Sequence, residues 1–220
     1  MPPFAVAFDL DGTLIDNNQF HFITWQEFYR KRNRELSLEE YKTHFNGRTM
    51  TDCVKYVFQQ PDMSAEEIEK YTNEKESLYR EIYAAHIKPI PGLLPFLALL
   101  HQQNIPMVIA TSGIQDNIDF LFAHIPIQHY FKRVIKGSDI THGKPHPEMY
   151  QLAAKELGLP AEKCIAFEDA TVGVASAGGA GMKVVAITTT HTPEELGNAD
   201  WVIKDYEGIK MQDLLQLINP

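Results

Sequence analysis

The sequence predicts an α/β protein: a doubly wound, Rossmann-like parallel sheet with an inserted all-α helical domain. Three observations predict this class. Short, wholly apolar runs closed by turn residues recur along the chain, as strands buried on both faces do. Segments with helical apolar spacing lie between them, and such alternation implies a parallel sheet with helices on both faces. One stretch, from about residue 17 to 87, is charge-rich and reads as helices without strands.

The first strand is the run 4–8, which ends in Asp9-Leu10-Asp11-Gly12-Thr13. In the insert, Phe20, Ile23, Phe28 and Tyr29 make one apolar helical face, and 52–60 reads as a second, short helix. Ser64 and Glu67 have the spacing of a capping box and open a long helix through Tyr83. Lys88-Pro89-Ile90-Pro91-Gly92 then punctuates the chain. Leu93, Phe96, Leu97 and Leu100 place a helix within 92–103, and a strand follows at 107–110. Met149, Leu152, Ala153 and Leu157 give a helix from Glu148 that Gly158 and Pro160 close. Strands are expected at 164–167, 183–187 and 201–203, with the small-residue segment 171–181 packing closely on the sheet. The expected division is 1–16 with 88–220 as the α/β core, and 17–87 as the insert.

Composition narrows the function. The chain has 220 residues, 44% of them hydrophobic and 10% aromatic, which excludes global disorder and suits a core domain with a small second one. Lys plus Arg is 20 against 29 for Asp plus Glu, a net charge of −9. That balance argues against nucleic acid as a partner and leaves room for a small phosphorylated substrate held by a local cation. Cys53 and Cys164 lack metal-site spacing and are expected to be plain buried thiols. No apolar run approaches the roughly 20 residues that span a bilayer. The N-terminal apolar stretch lacks a basic start and is cut short by Asp9 and Asp11, unlike a signal peptide. A cytoplasmic monomer is the expectation, with no membrane partner.

Ligands of open parallel sheets bind beyond the carboxyl ends of the strands. Asp9 and Asp11 follow the first strand. Thr111, Ser112 and Gly113 follow the strand at 107–110, and Glu168 and Asp169 follow the one at 164–167. Lys144 precedes the helix that starts at Glu148. Crowded carboxylates need a counter-charge, and Mg²⁺ takes a few carboxylates together with substrate phosphate oxygens. Asp9, Asp169 and the Leu10–Asp11 backbone suit such an ion, with Glu168 assisting. One Asp can act as a nucleophile that forms an aspartyl-phosphate, and a second, two residues on, as acid and then base. Lys144 and Thr111 would stabilise the phosphoryl group in flight. The N–H groups of Ser112 and Gly113, at the opening of a helix, would add an anion site.

Asp9-Leu10-Asp11-Gly12-Thr13 resembles the DxDGT motif of the haloacid dehalogenase superfamily. Thr111-Ser112 is similar to its second motif, Lys144-Pro145 to its third, and Glu168-Asp169 with Gly173, Ala177 and Gly181 to its fourth. The four stand in the family order across nearly the whole chain. The insert resembles the helical cap of the β-phosphoglucomutase-like subgroup. His21 and Trp25 match that subgroup's HxxxW element, and Lys75 falls where a cap lysine reaches substrate phosphate. The resemblance implies a core with an all-α cap, Mg²⁺, and substrate contacts from His21, Trp25, Gly47, Arg48, Lys75, Ser112 and Gly113. It departs at Gly47-Arg48-Thr49-Met50, where Met50 stands in place of the mutase arginine; Asn17 replaces the mutase hinge threonine.

Plainer readings compete for several residues. Trp25 is expected to be cap core, His21 is either a packed histidine or a substrate contact, and Arg48 and Lys75 are either substrate contacts or cations on solvated helix faces. His142, His146 and His191 would suit a transition metal, but the oxygen-rich site is the better reading. The expected activity is an Mg²⁺-dependent phosphatase acting on a small sugar or polyol phosphate through phospho-Asp9. A β-phosphoglucomutase-type mutase is the alternative. A receiver-like phospho-Asp module and a dehalogenase fit less well, because Asp11 suits turnover of a phosphoryl group.

Overall fold

The computed structural model describes residues 2–219. Six parallel strands form one sheet: β1 (Ala5–Phe8), β2 (Met107–Ala110), β3 (Val134–Ile135), β4 (Cys164–Glu168), β5 (Lys183–Ile187) and β6 (Trp201–Ile203), in the order β3-β2-β1-β4-β5-β6. The direction of winding reverses between β1 and β4, the switch point where open α/β sheets place their ligands. In register, Phe8 faces Ile109 on one side and Phe167 on the other. Asp9, the residues that follow β2, and Glu168 therefore emerge at the same sheet edge.

Side chains that alternate across β1 explain the layering. Phe4, Val6 and Phe8 point into a large apolar layer with Phe167 and Val185, covered by α5 (Leu93–Gln102), α6 (Gln115–His124) and α9 (Met211–Ile218). Ala5, Ala7, Ala166 and Ala186 face the other way. Their small size lets α7 (Glu148–Leu157) and α8 (Thr171–Gly179) lie close to the sheet. At Gly173 of α8 an added Cβ would sit 2.1 Å from the Glu168 carboxylate, so the helix can pass the end of β4 only without a side chain there.

Four helices lie between β1 and α5: α1 (Asn18–Arg30), α2 (Leu38–His44), α3 (Met50–Phe58) and α4 (Ala65–Tyr83). They enclose a core of their own around Trp25, Phe28, Tyr29, Phe45, Val54 and Val57. Ser37, Thr49 and Ser64 cap their N-termini, and the Ser64–Glu67 capping box forms. The C-terminal part of α4 leaves this bundle: Tyr79 and Tyr83 pack into the main core beside Leu14 and Ile15.

The structure differs from the sequence expectations in a few elements. The helix expected at 52–60 starts at Met50, because Thr49 supplies the cap by accepting from the Asp52 N–H. Helix α6 starts at Gln115 rather than directly at Ser112, and α8 ends at Gly179. Helices α2 and α9 and the two-residue β3 were not anticipated. Cys53 and Cys164 are free and buried, and burial pushes their thiols up to about 12 and about 11. No described helix is long and apolar enough to cross a membrane.

Candidate active site

Lys144 is the centre of the site. Its side chain is fully buried, and its ammonium donates to Asp9 Oδ1 at 2.6 Å, Glu168 Oε1 at 2.5 Å and the Ala110 carbonyl at 3.2 Å. Those contacts use all three of its N–H donors. Burial favours the neutral amine, but Asp9 and Glu168 outweigh it and raise the Lys144 pKa. Tyr150 donates to Glu168 Oε1 at 2.6 Å from α7, fixing the same carboxylate from behind.

Asp9, Glu168 and Asp169 are all buried, with one oxygen from each lying within 4.8 Å of the others. One lysine cannot neutralise three carboxylates. Burial pushes Asp9 well above the usual range; Lys144 opposes this, and Glu168, Asp169 and Asp11 add to it. Asp169 is pushed up to about 8 by burial and then by Glu168, against a hydrogen bond from Thr190 and the charge of Lys144. An all-oxygen donor set short of positive charge is what Mg²⁺ fits. The fit is tight at Gly12, where φ is +74° and a Cβ would lie 2.2 Å from Asp169 Oδ2.

Asp11 turns away from that cluster. Its Oδ1 accepts from Asn17 Nδ2 at 2.5 Å and faces His21 Nε2 at 3.6 Å. Burial alone would raise the Asp11 pKa, but His21, Asn17 and Lys75 outweigh it and hold the carboxyl below its usual value. Asn17 also receives the Gly12 N–H at 2.9 Å and donates to Tyr79 at 2.7 Å, tying the DxDGT turn to α4. The Asp11 side chain is therefore outside the group that could share an ion with Asp9, leaving its backbone for the role expected from the sequence.

The helical insert closes the site. A cavity of about 60 Å³ lies between Asp9, Asp11, Thr111, Ser112 and Gly113 on one side and His21, Trp25, Gly47, Arg48 and Lys75 on the other. Lys75 is not on a solvated helix face: it is 2% exposed, and its ammonium reaches His21 Nδ1 at 2.6 Å and Glu76 Oε1 at 2.9 Å. Lysine only donates, so His21 Nδ1 accepts and the ring proton sits on Nε2, which faces Asp11. His21 also stacks on Tyr79 at 3.9 Å. Trp25 is cap core, packed on Phe28 and Phe45, with one surface left to the cavity. Arg48 is half-buried and its Nε donates to the Thr43 carbonyl at 3.3 Å. Thr111 is buried and its Oγ1 receives the Gly113 N–H at 2.9 Å, while Ser112 donates to the Gly47 carbonyl across the cleft at 2.9 Å.

Several residues of the site escaped the sequence reading. Asn18 donates to Asp169 Oδ2 at 2.8 Å and itself receives Asn46 at 2.9 Å, a chain of amides from the insert to the carboxylate cluster. Thr190 reaches the same oxygen of Asp169 at 2.6 Å from beyond β5. Glu76 accepts from Asn117 at 2.8 Å, joining α4 to α6. The signal for Asn18 was its place next to Asn17, a few residues after the first motif; Thr190, Asn46 and Asn117 carry no spacing signal at all.

Strand order, carboxylates at the switch point and a buried lysine between them define a haloacid dehalogenase-type site. The family model for haloacid dehalogenase-like hydrolases matches residues 6–187, and the chain belongs to that family. It is similar to a family IA, variant 3 hydrolase from Entamoeba histolytica, at 32% identity and a TM-score of 0.87, covering 99% of this chain and 100% of that one. Glycerol-1-phosphate phosphohydrolase 1 of Saccharomyces cerevisiae is 30% identical over 221 residues, 94% of this chain and 84% of the relative. A β-phosphoglucomutase from Clostridium difficile shares the fold, with a TM-score of 0.84 at 22% identity over 100% of this chain and 98% of that one.

Proposed function

We propose that this enzyme, a phosphomonoester hydrolase of the haloacid dehalogenase family, removes phosphate from a small sugar or polyol phosphate through an aspartyl-phosphate on Asp9. The observation that carries the reading is the buried Lys144 ammonium held between Asp9 and Glu168. It partly compensates the nucleophile's charge and would draw in the oxygens of the phosphoryl group. Thr111, together with the N–H groups of Ser112 and Gly113, completes the phosphoryl cradle.

Asp9 attacks phosphorus and the ester oxygen leaves; water then attacks the phospho-Asp9 and releases phosphate. Asp11 serves both steps. As a resting carboxylate it is in the form needed to take a proton from the attacking water. Substrate phosphate beside it adds like charge and raises its proton affinity, which suits the acid role in the first step. Asp9, Glu168 and Asp169 would hold Mg²⁺, with the Asp11 backbone, and the ion would neutralise charge on the phosphoryl oxygens.

Residues 17–87 act as the cap in this reading. The cavity of about 60 Å³ is well below the roughly 150 Å³ that admits a benzene ring, so a hexose phosphate enters only after the cap moves away from the core. The test is phosphate release from a panel of sugar and polyol phosphates with Mg²⁺, run beside Asp9→Asn, with products checked for isomerised sugar phosphate. Release that Asp9→Asn loses is the expected result. Near-normal release by Asp9→Asn would end the nucleophile assignment, and isomerisation without release would mean a mutase.

A further inference from the structure

Outside the active site, the segment that carries Lys144 brings two histidines and a glutamate together on its solvent side. His142 Nδ1 is hydrogen-bonded to Glu148 Oε2 at 3.0 Å, a bond that an ion would replace, and His146 Nδ1 lies 3.9 Å from the same oxygen. One donor atom from each of His142, His146 and Glu148 falls within 4.8 Å of the others. In a tetrahedral ion site with bonds of about 2.05 Å, neighbouring donors stand roughly 3.3 Å apart. The observed spacings bracket that value.

The third donor is fixed before any ion arrives. Glu148 reaches back from the first turn of α7, accepting the Thr141 N–H on Oε1 at 2.8 Å and the His142 N–H on Oε2 at 2.9 Å. The segment itself is anchored, since Ser176 of α8 donates to the His146 carbonyl at 2.7 Å. His146 Nδ1 lies 3.3 Å from the Glu148 N–H, a long contact that an ion on this nitrogen would replace. Both imidazoles are solvent-accessible, which keeps a fourth position open. His191, the third histidine with metal-ligand character in the sequence, is elsewhere, against Asn46 and Glu195.

We propose that His142, His146 and Glu148 form a second metal site, selective for a borderline transition-metal cation of the Zn²⁺ class over Mg²⁺. Two imidazoles and one carboxylate match Zn²⁺, Ni²⁺ or Cu²⁺ rather than the all-oxygen preference of Mg²⁺. The two sites would thus sort two metals by donor chemistry. Lys144 lies between the two histidines in sequence, so an ion here would clamp the outer side of the segment whose inner side holds Asp9 and Glu168.

The test is calorimetric titration of the full chain with ZnCl₂ in excess Mg²⁺, for the wild type and for His142→Ala, His146→Ala and Glu148→Gln. Visible absorption after Co²⁺ addition reports the coordination number independently of activity. The expected result is a single equivalent of Zn²⁺ bound in the presence of Mg²⁺, weakened about tenfold or more in each histidine variant. Co²⁺ should give the intense visible bands of a low-coordinate site in the wild type and lose them in His142→Ala. His142 is exposed, so its replacement leaves the fold intact. Wild-type Zn²⁺ affinity in either histidine variant, or Zn²⁺ binding that Mg²⁺ abolishes, would overturn the proposal.

Discussion

Lys144→Met is the most searching perturbation of the site, because it removes the cation bonded to both Asp9 and Glu168 and leaves the carboxylates in place. The ammonium is fully buried and 2.6 and 2.5 Å from its two partners. Removing one member of a buried ion pair costs about 3–5 kcal/mol, since the other is left charged and desolvated. Asp9 and Asp169 already bind protons more readily than ordinary carboxyls, so protonation relieves part of that cost. The expected loss is therefore near the lower end, about 3 kcal/mol. For a chain of this length that lowers Tm by roughly 6–12 °C. The sign of its pH dependence follows: carboxyls with raised folded pKa values destabilise the fold when ionised, so the deficit grows as pH rises. Thermal unfolding with EDTA present, at pH 5 and pH 8, measures it. Adding Asp9→Asn to Lys144→Met should restore part of the loss, because the pair of changes removes opposite charges together. A Lys144→Met protein within about 1 kcal/mol of the wild type at both pH values, as for an exposed pair, would refute the charge argument.

Mg²⁺ at about 100 times its dissociation constant should stabilise the wild type by about 2.7 kcal/mol in thermal unfolding, and Asp169→Asn should abolish most of that gain. Glu76 is buried, and although burial raises its pKa, Lys75, His21 and Asn117 outweigh it and hold it below its usual value. Its stabilising contribution is present above the unfolded pKa of about 4.3 and is lost as pH falls through the lower folded value. Glu76→Gln should therefore flatten the acid limb of a stability–pH profile; an unchanged limb would remove Glu76 from the account. Gly173→Ala places a Cβ 2.1 Å from the Glu168 carboxylate and should displace it from Lys144. The expected outcome is a destabilisation of about 1–3 kcal/mol in denaturant titration, with kcat falling further than KM rises.

The strands were legible because each is an uninterrupted apolar run with a polar stop, and the stops are the chemistry: Asp9 after Phe8, Thr111 after Ala110, Asp169 after Glu168. β3 was not legible because two residues make no periodic signal, and α9 because Leu214 and Ile218 alone carry its buried face. Lys75 was ambiguous for a physical reason. A lysine on a charge-rich amphipathic helix reads as solvated, and only the tertiary meeting of α1 with α4 shows that His21 and Glu76 replace its water. Asn117 and Thr190 could not be found from spacing, since an amide or hydroxyl gains meaning here only from a carboxylate brought up by another element, and Asn46 only from the amide of Asn18.

The charges around the cavity bear on where a phosphoryl group on Asp9 would go under the proposed mechanism. Transfer to a second hydroxyl of a sugar phosphate requires the cap to hold a phosphate already present at the far end of that sugar. In this cap the Lys75 ammonium is matched by Glu76 at 2.9 Å, and the Arg48 guanidinium uses its Nε on the Thr43 carbonyl while its Nη groups remain donors. Met50, apolar, lines the cavity where the mutase-like pattern would put an arginine. The cation bonded to the carboxylate cluster, Lys144, sits instead at the core wall. A substrate with one phosphate at Asp9 and neutral hydroxyls toward Glu76 and Asn117 satisfies both walls. A bisphosphate would set its second phosphate in a cavity lined by Glu76 as well as by Lys75 and Arg48, where Glu76 already offsets the Lys75 charge. Water, which needs no anchor in the cap, is the acceptor that the Lys75–Glu76 pairing and the apolar Met50 favour.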